Sequence, residues 1–198
     1  MREAPQIQRY FDERARGYRA QFSSGLLGRL RHAERLALFT ALEPESGDRI
    51  LDAAAGVGLD ARRLLDLGCS VRAVDLSPEM VKQAQRAGVD AEVGDLHELD
   101  LGETFEKVLS AGALEFCGDP ARAVERLCRH VAPGGRLVLL FPTQSPVGKL
   151  YALYHRAFGV RVRLFALEEL SRWVERGGLT PTELLHPLPF SAVLRADR

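Results

Sequence analysis

Five positions in the first half of the chain combine glycines and carboxylates at a spacing that suits a nucleoside ligand. In ILDAAAGVGLDARRLL, residues 50–65, an apolar run ends at Asp52 and passes through Gly56 and Gly58 directly into a helical pattern. Glycines at such a turn let backbone approach a ligand closely, and the exposed N–H groups of a helix start favour anionic or polar groups. The next apolar run ends VRAVD, which puts Asp75 17 residues beyond Gly58. That is about where a carboxylate at the C-terminal edge of a strand reaches ribose hydroxyls. Asp95, in VGDLHELD, follows the third run. Each feature alone has a plain alternative: Gly56-x-Gly58 is also a tight turn, and Asp75 and Asp95 are also capping or solvated loop acids. Together, Asp52, Asp75 and Asp95 predict three acids along one edge of a sheet, where doubly wound folds bind ligands.

The elements that must position these groups are visible as a change of pattern. Residues 1–42 read as a helical arm, broken at Ser23-Ser24-Gly25, with Leu26, Leu30, Ala33 and Ala37 near helical spacing. From Arg49 onward short apolar runs (RILDA, VRAVD, the stretch around AEVGD, FEKVLSA, RLVLLF) alternate with helical patterns around 58–67, 78–87 and 120–131. This alternation predicts βαβ units and an α/β doubly wound, mostly parallel sheet. Ser77-Pro78 and Asp119-Pro120 each place a capping residue before a proline suited to the first helical turn, and Pro133-Gly134-Gly135 reads as a turn into the next strand. In 143–166 Val147, Leu150, Tyr151, Tyr154, Ala157 and Phe158 form one apolar face, either sheet cover or a lid. A helix over 167–176 and strands near 180–186 and 190–196 complete a seven-stranded expectation. A single domain over 1–198 is expected, with an arm (1–42), a core (43–142), a lid insert (143–166) and a closing helix with strands (167–198).

At these residues the chain resembles the class I S-adenosylmethionine-dependent methyltransferases. Asp52-x-Ala54-x-Gly56-x-Gly58 matches that family's acid-x-Gly-x-Gly-x-Gly motif except that Ala54 replaces the first glycine. The resemblance continues through VDLSPEMVKQA at 74–84, GDL at 94–96, VLSAGALEF at 108–116 and LCRHVAPGGRLVLLFP at 127–142. It implies a Rossmann-like methyltransferase fold, S-adenosylmethionine as methyl donor and S-adenosylhomocysteine as product. It also implies roles: Asp52 approaching the methionine amino group, and Ala54, Gly56 and Gly58 bordering that moiety. Asp75 is expected on the ribose with Leu76 and Met80 against adenine, and Asp95 on the adenine amino group beside Leu96. Ser110, Ala111 and Gly112 are expected to border the sulfonium and Tyr18 to close over the methionine end. The cofactor supplies the leaving group, so a general base is needed only if the acceptor must lose a proton. Glu115, after the fourth strand, and His155, on the lid helix, are the candidates; a solvated loop acid and a helix-surface histidine are the competing readings. His97 and His130 carry no signal of their own.

The acceptor is expected between the arm and the insert, as in the family. Residues 1–42 hold eight Arg against four acids, and 149–163 hold Lys149, Arg156, Arg161 and Arg163 against none. With Phe11, Phe22, Leu150, Tyr151, Tyr154 and Phe158 nearby, this favours a hydrophobic small molecule with a carboxylate, phenolate or phosphate held by Arg156, Arg161 and Arg163. The alternatives are a non-catalytic cofactor-binding subunit and a dinucleotide-dependent oxidoreductase, the latter disfavoured because no third glycine follows Gly58 three residues on.

Composition bounds the rest. The 198 residues carry 27 basic and 27 acidic side chains, so nothing marks a general nucleic-acid partner. Mean hydropathy is -0.11, and the longest clean apolar run, Leu137 to Phe141, is far short of a membrane span. A polar N-terminal segment predicts a cytoplasmic protein, as a monomer or homodimer. Cys69, Cys117 and Cys128 form no C-x-x-C pair and predict buried thiols rather than a disulfide frame or metal site.

Overall fold

The computed structural model describes residues 4–21, 25–157 and 159–198; Phe22 and Phe158, assigned above to the acceptor region, lie outside them. Two helices, α1 (Ala4–Gln21) and α2 (Gly25–Leu42), precede the sheet. There follow β1 (Arg49–Ala53), α3 (Leu59–Asp66), β2 (Ser70–Asp75), α4 (Pro78–Arg86), β3 (Asp90–Val93) and β4 (Phe105–Ala111). A 3-10 turn (Leu114–Phe116), α5 (Pro120–Arg129), β5 (Val131–Pro142), α6 (Pro146–Ala157), α7 (Leu167–Arg176), β6 (Thr180–Leu188) and β7 (Ser191–Asp197) complete the order.

The seven strands form one sheet in the order β3-β2-β1-β4-β5-β7-β6. The first five are parallel, and β7 runs antiparallel to both β5 and β6. Strand order reverses between β1 and β4, which opens a crevice above their carboxyl ends. Side chains alternate between the faces of each strand, so two cores result. On one face Val108, Leu137 and Leu139 pack with Val124, Leu127 and Leu170 of α5 and α7. On the other, Ile50, Leu109 and Val138 pack with Leu38, Leu42, Ala61, Leu64 and Val81 of α2, α3 and α4.

The helix starts follow the local chemistry of the sequence. Ser77 Oγ accepts from Met80 N at 3.1 Å with Pro78 in the first turn, and Asp119 Oδ1 accepts from Arg122 N at 3.1 Å with Pro120 in the same place. Such caps are worth about 1 kcal/mol each. The Pro133-Gly134-Gly135 stretch is not a turn: β5 begins earlier, at Val131, and these residues are a bulge within it. Phe105 pairs with Val131 while Lys107 pairs with Arg136. Glycine is required there, because a Cβ on Gly135 would lie 2.6 Å from the Glu106 carbonyl oxygen. Consequently α5 ends at Arg129 and Val131 belongs to the sheet.

The expected apolar faces of the arm and insert need correction too. In α2 the residues that reach the core are Leu38, Ala41 and Leu42, while Leu26 is exposed. In α6 Val147, Leu150 and Tyr154 are exposed, so that helix is not sheet cover. Cys69 and Cys128 are buried, but Cys117 is only partly so. No helix among the described residues is long and apolar enough to cross a membrane.

Candidate functional site

The crevice above the carboxyl ends is a cavity of about 870 Å³. Its floor is the set of strand-to-helix connections that the sheet order brings together: Ala54 to Val57 after β1, Asp75 and Leu76 after β2, Gly94 to Glu98 after β3, and Ala111 to Ala113 after β4. The turn after β1 is built for close approach. Ala54, Gly56 and Gly58 all have positive φ (67°, 56° and 72°), and a Cβ on Gly56 would meet nothing within 4 Å. Gly58 has another purpose: a Cβ there would sit 3.0 Å from the Ala84 Cβ, so its bareness lets α3 and α4 pack together. Ala54 carries the left-handed conformation with a methyl group, which costs about 1–2 kcal/mol relative to an ordinary backbone.

Asp75 braces this turn. One carboxylate oxygen accepts from Gly56 N at 2.7 Å and the other from Ser77 N at 2.9 Å. Burial raises its carboxyl above the ordinary value, and the two N–H groups pull it back. Across the cavity Asp95 Oδ1 accepts from His97 N at 2.9 Å and sits 2.6 Å from His97 Nδ1. His97 Nε2 accepts from Asp119 N at 3.2 Å, so the proton is on Nδ1 and is donated to Asp95. Leu76, Met80 and Leu96 supply apolar wall. The arm closes the top: Ala15 of α1 packs on Val57 and Met80 with Phe11 and Tyr18 beside them, and Asp12 accepts from Ser77 Oγ and Glu79 N.

A second cavity, of about 470 Å³, adjoins the first. Phe11, Tyr18, Arg31, Ala111, Gly112 and Phe116 belong to both walls. Its remaining walls come from α1, α2, the 3-10 turn, the end of β5, α6 and the loop before β7, with Tyr10, Arg14, Glu34, Glu115, Tyr151, His155 and Phe190 among them. The lining is rich in rings: Tyr151 stacks on Phe190 with centroids 5.9 Å apart, and His155 meets Tyr151 at 4.6 Å. Arg14 lies over the Tyr10 ring at 3.6 Å, and Arg31 pairs with Glu34 at 3.1 Å.

A family model described as a methyltransferase domain matches residues 51–139. The ubiquinone biosynthesis O-methyltransferase of Xanthomonas oryzae pv. oryzae is 30% identical over 169 residues, covering 81% of this chain and 66% of that protein. The demethylmenaquinone methyltransferase of Renibacterium salmoninarum is 31% identical over 150 residues, covering 73% and 63%. The chain thus spans roughly two thirds of the length of these curated relatives. The solved magnesium protoporphyrin IX methyltransferase of Synechocystis PCC 6803, with bound S-adenosylhomocysteine, superposes with a TM-score of 0.79 at 17% identity, over 98% of this chain and 99% of that one. The chain belongs to the class I S-adenosylmethionine-dependent methyltransferases.

In this methyltransferase-family chain, ten residues named from the sequence stand in the wall of the larger cavity: Tyr18, Ala54, Gly56, Asp75, Leu76, Met80, Asp95, Leu96, Ala111 and Gly112. Three others do not. Gly58 acts in helix packing, as above. Asp52 is buried beneath the first turn of α3, hydrogen bonded to the backbone of Ala61, and belongs to neither cavity wall. Strand alternation turns it, like Ile50, toward the α3 side; burial pushes its carboxyl up to about 8, and Asp60 and Asp75 add to the rise. Ser110 is turned the other way, with Val108, and is buried with no hydrogen-bond partner for its hydroxyl.

The two base candidates are brought together in the smaller cavity. Glu115 is not a solvated acid: it is 5% exposed, and burial pushes its carboxyl up to about 8. His155 is half-buried, its Nδ1 3.4 Å from the Tyr10 hydroxyl, and burial lowers its basicity. The insert arginines are not brought in. Arg156, Arg161 and Arg163 are exposed and outside both walls, and Arg163 pairs with Glu169 at 2.5 Å. The cations that do line the cavities are Arg14, Arg31 and Arg35, from the arm, and Arg122, from α5. Sequence reading also missed His97, whose only local signal is its place two residues after an aspartate in a turn, and Arg31, which has none.

Proposed function

We propose that this chain transfers a methyl group from S-adenosylmethionine, held in the larger cavity, to a small aromatic or alkyl-bodied acceptor held in the smaller one. The observation that carries the reading is the junction of two cavities of unlike character at Gly112. One has a bare turn and acids spaced for a nucleoside; the other has rings and arm cations. The donor fits what the residues offer. Asp75 accepts from the ribose hydroxyls while keeping the turn in place, Leu76, Met80 and Leu96 flank the adenine, and Asp95, oriented by His97, accepts from its amino group. Gly56 gives the methionine end access to backbone, and Tyr18 covers it. When bound, S-adenosylmethionine supplies a methyl group on a sulfonium, open to in-line displacement. The chain's part is then to orient the acceptor's nucleophile toward Gly112 and to exclude water, through Phe11, Phe116 and the arm. One relative is named a ubiquinone biosynthesis O-methyltransferase and another a demethylmenaquinone methyltransferase, which supports an acceptor with an aromatic body.

Calorimetry with S-adenosylhomocysteine and NAD side by side tests the donor assignment. One-to-one binding of the former and none of the latter is expected, and the reverse overturns it. Turnover of a radiolabelled methyl donor against a cell extract tests transfer itself; a protein that binds the donor and labels nothing is a binding subunit instead.

A further inference from the structure

Glu115 takes no part in holding the donor, and one of its oxygens has no partner. It lies in the 3-10 turn directly after β4, and its Oε2 is buried without a hydrogen bond. Arg163 N donates to its carbonyl at 2.9 Å, which ties the turn to the segment after α6. Glu115 belongs to the wall of the smaller cavity and not to that of the larger. It nevertheless stands at the junction, since a Cβ on Gly112 would lie 3.6 Å from Glu115 Oε1 and 3.9 Å from Arg31 Nη1. Leaving a buried carboxyl oxygen unpaired is costly, a cost that a ligand's O–H removes.

We infer that Glu115 is the proton acceptor of the smaller cavity, and that the acceptor presents a hydroxyl on an aromatic body and leaves as a methyl ether. This rests on the donor and acceptor assignment proposed above. In the step, the hydroxyl oxygen bonds to the methyl carbon of the donor. The carbon–sulfur bond breaks with its electron pair going to sulfur, and the hydroxyl proton passes to the Glu115 carboxylate. The ring-lined walls, with Tyr10, Phe11, Phe116, Tyr151 and Phe190, suit the aromatic body. The ionisable groups that face Glu115 are Tyr18 from α1, Arg31 and Glu34 from α2, Tyr151 from α6 and Cys117 from its own loop. Burial raises the three that must lose a proton to become charged, Tyr18, Tyr151 and Cys117, so they stay neutral. Arg31 is already paired with Glu34. Glu115 is therefore the group of this set that gains a charge as pH rises through about 8, a value well placed for a general base.

The test uses protein saturated with S-adenosylhomocysteine and 4-methylphenol as the probe, whose hydroxyl, like that of tyrosine, stays protonated to about pH 10. Calorimetry at pH 6.5 and pH 9 is expected to show roughly tenfold tighter phenol binding at the higher pH, the size of a hydrogen bond to a charged group. Glu115→Gln is expected to lose that pH dependence and to bind about tenfold more weakly at pH 9, with affinity for S-adenosylhomocysteine unchanged. Glu115→Asp, which keeps the carboxylate on a shorter arm, keeps the pH dependence at reduced affinity and serves if the amide variant does not fold. The inference is overturned if the wild type does not bind the phenol, if Glu115→Gln binds it as the wild type does at both pH values, or if Glu115→Asp shows no loss. Loss of S-adenosylhomocysteine binding by the wild type, read first in the same calorimeter, defeats the donor assignment instead. A merely structural Glu115 lowers the Tm when replaced and leaves the phenol's pH dependence in place.

Discussion

The two edges of the sheet handle charge in opposite ways. At the amino ends of the parallel strands, charges are paired. Arg72 contacts Glu92 and Glu103, Arg49 contacts Glu103, Lys107 contacts Asp48, and Arg136 and Arg195 contact Glu43. At the carboxyl ends Asp60 pairs with Arg35, but Asp52, Asp75 and Glu115 have no cation within salt-bridge distance among the described residues; their hydrogen bonds are to backbone N–H groups, and burial raises all three carboxyls. One edge resembles ordinary surface electrostatics, apart from the largely buried Lys107–Asp48 pair. The other holds acids in an electrostatically unfavourable setting; on the assignment proposed above a ligand's donors complete Asp75 and Glu115, which stand in the cavity walls, whereas Asp52 lies behind them.

That contrast can be broken at its strongest point first. Asp75→Ala removes the acceptor of two short N–H bonds together with the proposed ribose contact. Affinity for S-adenosylhomocysteine, measured by calorimetry, is expected to fall about a hundredfold, equivalent to ~2.7 kcal/mol. A loss smaller than threefold contradicts the assignment of that rim. Arg14→Gln, at the aromatic wall of the smaller cavity, is expected to raise the acceptor KM roughly tenfold in steady-state assays, as for other hydrogen bonds to charged groups. Arg156→Gln, on the exposed side of α6, is expected to leave it unchanged. Equal effects remove the distinction between arm and insert.

Two smaller effects sharpen the comparison through stability. The folded value of Asp52, about 8, lies above its ordinary 3.8, so between those values the native state holds a proton that the unfolded chain releases. Its contribution is therefore fully present below about pH 4 and is lost as pH rises toward 8. Thermal melts at pH 5 and pH 8.5 are expected to differ by a few degrees, the lower pH being more stable, with Asp52→Asn showing a smaller difference. Glu103→Gln at the opposite rim breaks contacts to Arg49 and Arg72 and is expected to lower the Tm by about 2–4 °C at most. It should not alter affinity for S-adenosylhomocysteine; an altered affinity shows that the rims are coupled.

What could be read from the sequence divides along similar lines. The carboxyl rim was legible because each β-to-α junction is local: the turn at Gly56, the acid ending β2 and the cap at Ser77 sit within 22 residues. Strand alternation explains the errors there, since Asp52 and Ser110 belong to the right junctions but point to opposite faces behind the cavity. The bulge at Gly134-Gly135 read as a turn because local sequence cannot distinguish two glycines that reverse a chain from two that let one strand slip past Glu106. The smaller cavity was only partly legible. Tyr151 and His155 were visible as residues of one helix, but the meeting of Arg14, Arg31 and Glu115 depends on how α1 and α2 lie over β4, a tertiary matter. The amino-rim pairs were illegible for the same reason, Arg49 and Glu103 being 54 residues apart and Arg136 and Glu43 93.

The most direct measurement is a crystal structure of the protein grown with S-adenosylhomocysteine. The ribose is expected within hydrogen-bond distance of Asp75, the adenine between Leu76 and Leu96, and the sulfur beside Gly112 facing the cavity that holds Glu115. Density for the ligand elsewhere, or a crevice that stays empty at saturating ligand, contradicts the assignment of the carboxyl rim as the donor site.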